Sequence, residues 1–127
     1  MSYRAYFPKR GDLVHLNFSP SAGHEMADRH YALVLSNDQY NKRTGMAIVA
    51  PITSRIRGWP FEVPVPPGLL PDKKGAAVKS ILHADIARHV DFREREMTFI
   101  NSAPRELVEE VLDKLLTVLE ADNPFGA

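Results

Sequence analysis

The sequence predicts a mostly β chain: a small, strongly curved antiparallel sheet or open barrel, followed by one C-terminal helix. Two observations carry that prediction. Short stretches of apolar alternation recur through residues 12–100, each bounded by Pro, Gly or polar punctuation, as in all-β folds built from many short strands. Beyond residue 104 the apolar period changes from two to three and four, the signature of an amphipathic helix.

The first expected strand, Asp12–Phe18, alternates Leu13, (Val14), Leu16 and Phe18 and stops at Ser19-Pro20. A second, Ala32–Ser36, and a third, from Met46 to Pro51 and ending at Thr53, flank the turn signals of residues 41–45. Phe61, Val63 and Val65 mark a fourth between Arg57-Gly58 and Pro66-Pro67-Gly68. Ser80–Ala84 follows Lys73-Lys74-Gly75, and Met97–Ile100 is a last candidate strand. The helix carries Leu107, Val108, Val111, Leu112, Leu115, Leu116 and Leu119 on one stripe, expected to pack on the sheet. Ser102 is the expected N-cap, Pro104 suits the first turn, and Asp122-Asn123-Pro124 should stop the helix.

A chain of 127 residues is expected to form one domain over its full length, 1–127, large enough to bury a core without covalent staples. The absence of cysteine excludes disulfides and thiolate metal sites. No apolar run approaches the roughly 20 residues of a membrane helix, and the first ten residues lack a signal peptide's apolar centre. A cytoplasmic protein with no membrane partner is the expectation. Net charge is zero, but its distribution is not uniform. Residues 1–88 hold twelve Lys/Arg against seven Asp/Glu, and residues 89–127 hold four against nine. The basic excess in the first part is compatible with phosphate binding.

Several chemistries are excluded by spacing. The five histidines show no HxxxH or HExxH pattern, so no metal is expected. There is no GxSxG elbow for a serine nucleophile and no GxxxxGK[ST] phosphate loop. Metal-free and cofactor-free acid–base chemistry on a phosphodiester remains. RNA carries its own nucleophile in the 2′-hydroxyl, so the protein must take one proton, give another and hold the charge on phosphorus. Histidine moves protons near neutral pH, arginine grips phosphate with a planar fork, and threonine adds a neutral donor. His24, Arg29, His30, Thr53, His83 and Asp85 supply these groups at expected strand ends or in loops. Each also has a plainer reading. His24 and His30 could be solvated, Thr53 could close a turn, and Asp85 could cap a turn or pair with Arg88.

The order of motifs resembles the MazF/PemK family of bacterial toxins. Gly11-Asp12-Leu13-Val14 matches the family's opening strand, and Ser19-Pro20-Ser21-Ala22-Gly23-His24-Glu25 matches its following loop. Ala32-Leu33-Val34-Leu35-Ser36, Ala50-Pro51-Ile52-Thr53-Ser54 and Gly58-Trp59-Pro60-Phe61-Glu62-Val63 match the next three motifs. The likeness is good over residues 10–65, loose over 80–95 and pattern-level over the helix. It implies a sequence-selective, metal-independent endoribonuclease on an SH3-like curved barrel, cleaving single-stranded RNA (mRNA) by 2′-hydroxyl attack. It also implies a homodimer and neutralisation by a cognate MazE/PemI-like antitoxin.

Under that resemblance Thr53 and Arg29 would hold the phosphate, His24, His30 or His83 would exchange protons, and Asp85 would orient one of them. Glu25, Tyr31, Ser54, Arg55 and Lys79 would contact RNA, and Trp59 and Phe61 are further candidates for base stacking. Two positions depart from the pattern. Where the family has Arg-Pro before its second strand, this chain reads His30-Tyr31, with Arg29 one place earlier. In His83-Ala84-Asp85-Ile86 the aspartate of the family's motif is kept, Ile86 replaces its glutamine, and His83 falls where some members place an arginine. Either Arg29 or His30 could fill the arginine's role, and they would point to opposite sides of a strand. A non-enzymatic CcdB-like gyrase binder or weakened nuclease is the alternative, since the fold alone does not fix function. A plain SH3-like peptide module is a third.

Overall fold

The computed structural model describes residues 6–18, 29–71 and 80–120. In chain order these form β1 (Asp12–Asn17), β2 (Arg29–Val34), α1 (Asp38–Thr44), β3 (Met46–Thr53), β4 (Glu62–Pro64), β5 (Ile81–His83), β6 (Arg88–Asp91), β7 (Thr98–Ser102) and α2 (Arg105–Leu119). The strands make a seven-stranded, curved antiparallel sheet that does not close, ordered β4-β5-β3-β2-β1-β7, with β6 pairing β3. This is the mostly β architecture with a terminal helix expected from the apolar periods.

Strand β3 is the hub. Its first half pairs with β6 (Met46↔Asp91 to Val49↔Arg88), its middle with β2 (Val34↔Val49 to Ala32↔Pro51), and its end with β5 (Ile52↔Leu82, Thr53↔Ile81). Period-two alternation sends successive side chains to two separate cores. Leu13, Leu33, Ala50, Ile52, Val63 and Leu82 face the first, which α2 covers with Leu107, Val108 and Val111. Val14, Leu16, Phe18, Ala32, Val34, Ala47 and Val49 face the second, which Val90, Phe92 and Met97 complete.

Gly11-Asp12 is a structural device. Gly11 has φ +95°, a conformation that favours glycine, and swings the chain into β1. Asp12 is buried, and its Oδ2 accepts hydrogen bonds from the Tyr6 hydroxyl at 2.6 Å and the Lys9 backbone N–H at 3.0 Å. Burial, reinforced by the Asp12 hydrogen bond and charge, pushes the Tyr6 phenol well above its ordinary pKa. Near it, fully buried Asn41 donates to the carbonyls of Pro8 (2.8 Å) and Ser36 (3.1 Å) and accepts from the Ser36 hydroxyl.

Three expectations change. The turn expected at 41–45 is the end of α1, capped by the Asn37 side chain at Tyr40 N–H and by Gly45 at φ +71°. Ser102 is not an N-cap: it ends β7 opposite Asp12, and Pro104 occupies the cap position with no side-chain bond. The helical stripe is only partly covered. Leu116 and Leu119 are exposed, because the sheet supports only the first turns of α2. The expected stop at 122–124 lies outside the described residues.

Candidate active site

The ends of β2, β3 and β5 that carry the chemistry-bearing residues lie side by side. The β2–β3 register runs from Val34↔Val49 to Ala32↔Pro51; carried two residues further, it sets His30 across from Thr53. The β3–β5 register, carried one residue beyond Ile52↔Leu82, sets His83 across from Pro51. Leu33, Ile52 and Leu82 face the helix-covered core, so alternation turns His30, Thr53 and His83 to the opposite side together. All three are half-buried.

Thr53 does close a turn, since its Oγ1 accepts the Arg55 backbone N–H at 3.2 Å. That bond uses a lone pair and leaves the hydroxyl proton available to donate. His30 lies with its ring 6.1 Å from the buried ring of Phe18. Arg88 reaches the same ring from β6, its guanidinium carbon 4.9 Å from the Phe18 centroid. Arg88 alternates with His89 and shares the side of Val90, which belongs to the second core. The sequence offered Arg88 only as an ion partner for Asp85. Among the described residues the ion pairs are Arg29–Glu96 and Arg105–Glu109, so that pairing does not form. The signal for Arg88 was its place two residues before Val90 in a strand that sequence reading did not assign.

Arg29 is not with this group. It leads β2 on the side of Tyr31 and Leu33. Its Nε donates to His15 Nδ1 at 3.3 Å, its Nη2 donates to the Glu96 carbonyl at 3.0 Å, and its Nη1 lies 3.6 Å from Glu96 Oε1. Tyr31 packs its ring 4.8 Å from His15, against the helix-covered core. Asp85 follows β5 in a turn, half-buried. Ser54 and Arg55 are exposed just beyond Thr53. His24, Glu25 and Lys79 lie outside the described residues.

Beside His83, Glu62 is its cross-strand partner on β4. The Glu62 carboxylate accepts the backbone N–H groups of Arg57 (2.8 Å), Gly58 (2.8 Å) and Trp59 (3.2 Å). Those bonds, led by Arg57 and aided by the His83 charge, hold its pKa below the ordinary glutamate value. The same bonds fix the loop that presents exposed Trp59. Among the described residues no three His, Asp or Glu side chains converge as a metal cage, and no helix is long and apolar enough to cross a membrane.

Residues 9–119 match the family described as PemK-like, MazF-like toxin of type II toxin-antitoxin system. The chain belongs to the PemK/MazF toxin family. The endoribonuclease toxin MazF of Escherichia coli (strain K12) is 36% identical over 103 residues, covering 80% of this chain and 86% of that protein. The crystal structure of MazF from Deinococcus radiodurans superposes with a TM-score of 0.77 at 42% identity, covering 91% of this chain and 98% of that one. A MazE–MazF structure from the same organism gives 0.75 at 40% identity, with coverages of 90% and 97%. In this PemK/MazF chain the first departure falls on β2, and the second runs from the end of β5 into the turn that holds Asp85. His30 takes the inward face, that of the second core, and Arg29 the face covered by the helix.

Proposed function

We propose that the protein is a sequence-selective, metal-independent endoribonuclease toxin that cuts single-stranded RNA in the cytoplasm, acts as a homodimer and is silenced by a MazE/PemI-like antitoxin. The observation that carries this is the common facing of His30, Thr53 and His83 in a chain of this family. Relatives named as endoribonucleases favour a nuclease over a CcdB-like binder, and the MazE–MazF neighbours support an antitoxin partner.

In the proposed reaction the RNA 2′-oxygen attacks phosphorus as one imidazole, from His30 or His83, removes its proton. The bond to the 5′-oxygen breaks, and the other imidazole protonates the departing oxygen. A cyclic phosphate and a free 5′-hydroxyl result, with the protons conserved and no metal required. The Thr53 hydroxyl donates to a non-bridging oxygen, where charge grows. Asp85 orients His83 from the adjoining turn. Ser54 and Arg55, exposed just beyond Thr53, border the RNA path, and His24, Glu25 and Lys79 are proposed RNA-site residues that lie outside the described residues.

Purified protein incubated with a long single-stranded RNA in EDTA tests this directly. Discrete fragments with cyclic phosphate ends are expected, and Thr53→Val should slow their appearance by about a hundredfold, the usual effect of removing one transition-state donor. Intact RNA at high protein concentration would sink the nuclease reading.

A further inference from the structure

We propose that Arg88 supplies the guanidinium that grips the scissile phosphate, a role that Arg29 cannot fill from the opposite face of β2. This inference rests on the nuclease reading above. A phosphodiester carries a negative charge that grows toward the transition state, and a planar guanidinium matches two of its oxygens at once. His30 occupies the strand position at which the family places its arginine, so the inward face of β2 holds an imidazole there instead. Arg29, one residue away, has its donors engaged by His15 and Glu96.

Arg88 meets the need from another strand. It stands opposite Val49 on β3 and shares the side of Val90, which places its stem on the inward face. The Phe18 ring is a common platform: the Arg88 guanidinium rests 4.9 Å from its centroid and the His30 ring lies 6.1 Å from it. Phe18 is 1% exposed, so the core fixes that platform. An arginine resting on an aromatic face keeps N–H donors at its edge for an anion. Among the described residues no carboxylate or carbonyl takes those donors. The arrangement is a half-buried cation, with guanidinium donors to spare, on the same ring that a candidate general acid–base approaches. The neutral alternative is that Arg88 merely covers Phe18 with its stem.

Arg88→Met separates the two, because methionine keeps an unbranched apolar stem over the ring and removes every donor. Cleavage of a single-stranded RNA should fall by about a hundredfold with the melting temperature near that of wild type. Binding of an all-2′-deoxy oligonucleotide of the same sequence should weaken, and the slope of log affinity against log salt should drop by about 0.7. Arg88→Lys keeps the charge without the fork and should recover only part of the rate. A wild-type enzyme that cuts RNA while Arg88→Met stays within about threefold of it would overturn the assignment. If Arg88→Met does not fold, Arg88→Lys decides: a wild-type rate overturns the proposal, and a loss of about tenfold supports it. A wild-type protein that neither cuts RNA nor binds the oligonucleotide removes the nuclease reading, and this inference falls with it.

Discussion

The two ends of β1, about 17 Å apart at 3.4 Å per residue, use their polar groups in opposite ways. At the Asp12 end every buried polar group is matched. Asp12 Oδ2 accepts from Tyr6 and Lys9, and Asn41 bonds to Pro8 and Ser36. At the Phe18 end, Thr53 retains a hydroxyl proton and Arg88 touches an aromatic ring where an acceptor would be expected. The matched groups, Asp12 and Asn41, are buried, whereas Thr53 and Arg88 are half-buried at the sheet's surface. The difference lies in unspent hydrogen-bonding capacity. Matched buried groups hold a fold together, and half-buried ones with donors to spare are available to a ligand.

The strongest way to break this comparison is to contrast the two neighbours on β2. His30→Ala should cost about a hundredfold in RNA cleavage, as loss of a proton-transfer group does. Arg29→Ala should cost far less, because its partner Glu96 is a solvent-exposed carboxylate and such pairs contribute about 0–1 kcal/mol to stability. Single-turnover cleavage of one RNA by both variants decides it. Equal losses, or a greater loss for Arg29→Ala, would place the phosphate site on the other face.

A smaller effect probes the matched end. Tyr6→Phe removes a 2.6 Å bond to a buried carboxylate and should destabilise the chain by about 1–3 kcal/mol in denaturant unfolding, with cleavage at low temperature unchanged. The pH dependence carries a definite sign. The phenol's pKa is raised in the folded state, so its stabilising contribution is full below the ordinary tyrosine value of about 10 and is lost as pH climbs above it. A melting curve for Tyr6→Phe that lost as much stability at high pH as wild type would contradict this.

The smallest effect is local. Glu62 has a lowered pKa, so its hold on Arg57–Trp59 is complete above the ordinary glutamate value of about 4.3 and fades as pH falls through the depressed one. Amide exchange at Arg57, Gly58 and Trp59 should therefore show loss of protection in Glu62→Gln at neutral pH, with the core strands unaffected. Unchanged protection would mean that the loop is held by other contacts.

The alternation of Leu13, Leu16 and Phe18, the β3 run and the Leu107–Val111 stripe made the sheet and the final helix legible, because each has a clear apolar period. Strand β6 was missed: Arg88-His89-Val90-Asp91 contains one apolar residue. Helix α1 was missed because its buried residue is Asn41, not a hydrophobe, although Asn37 and Gly45 are cap signals that could have marked it. The family was readable from ordered motifs. The grouping of His30, Thr53 and His83 was not, since it depends on inter-strand registers that no local pattern encodes. The same limit applied to which of Arg29 and His30 shares a side with Thr53, since a single step along β2 reverses the facing.

The order β4-β5-β3-β2-β1-β7 also bears on how the chain behaves at high concentration. Unpaired strand edges are templates on which a second molecule can add by backbone hydrogen bonding. Here β4 is three residues long and ends in Pro64, which has no N–H to offer. Strand β7 has Asn101 donating to the Leu69 carbonyl and runs directly into Pro104. The longest strand, β3, is paired along both sides. The longest stretch of strand backbone is thus kept inside the sheet and away from its outer edges.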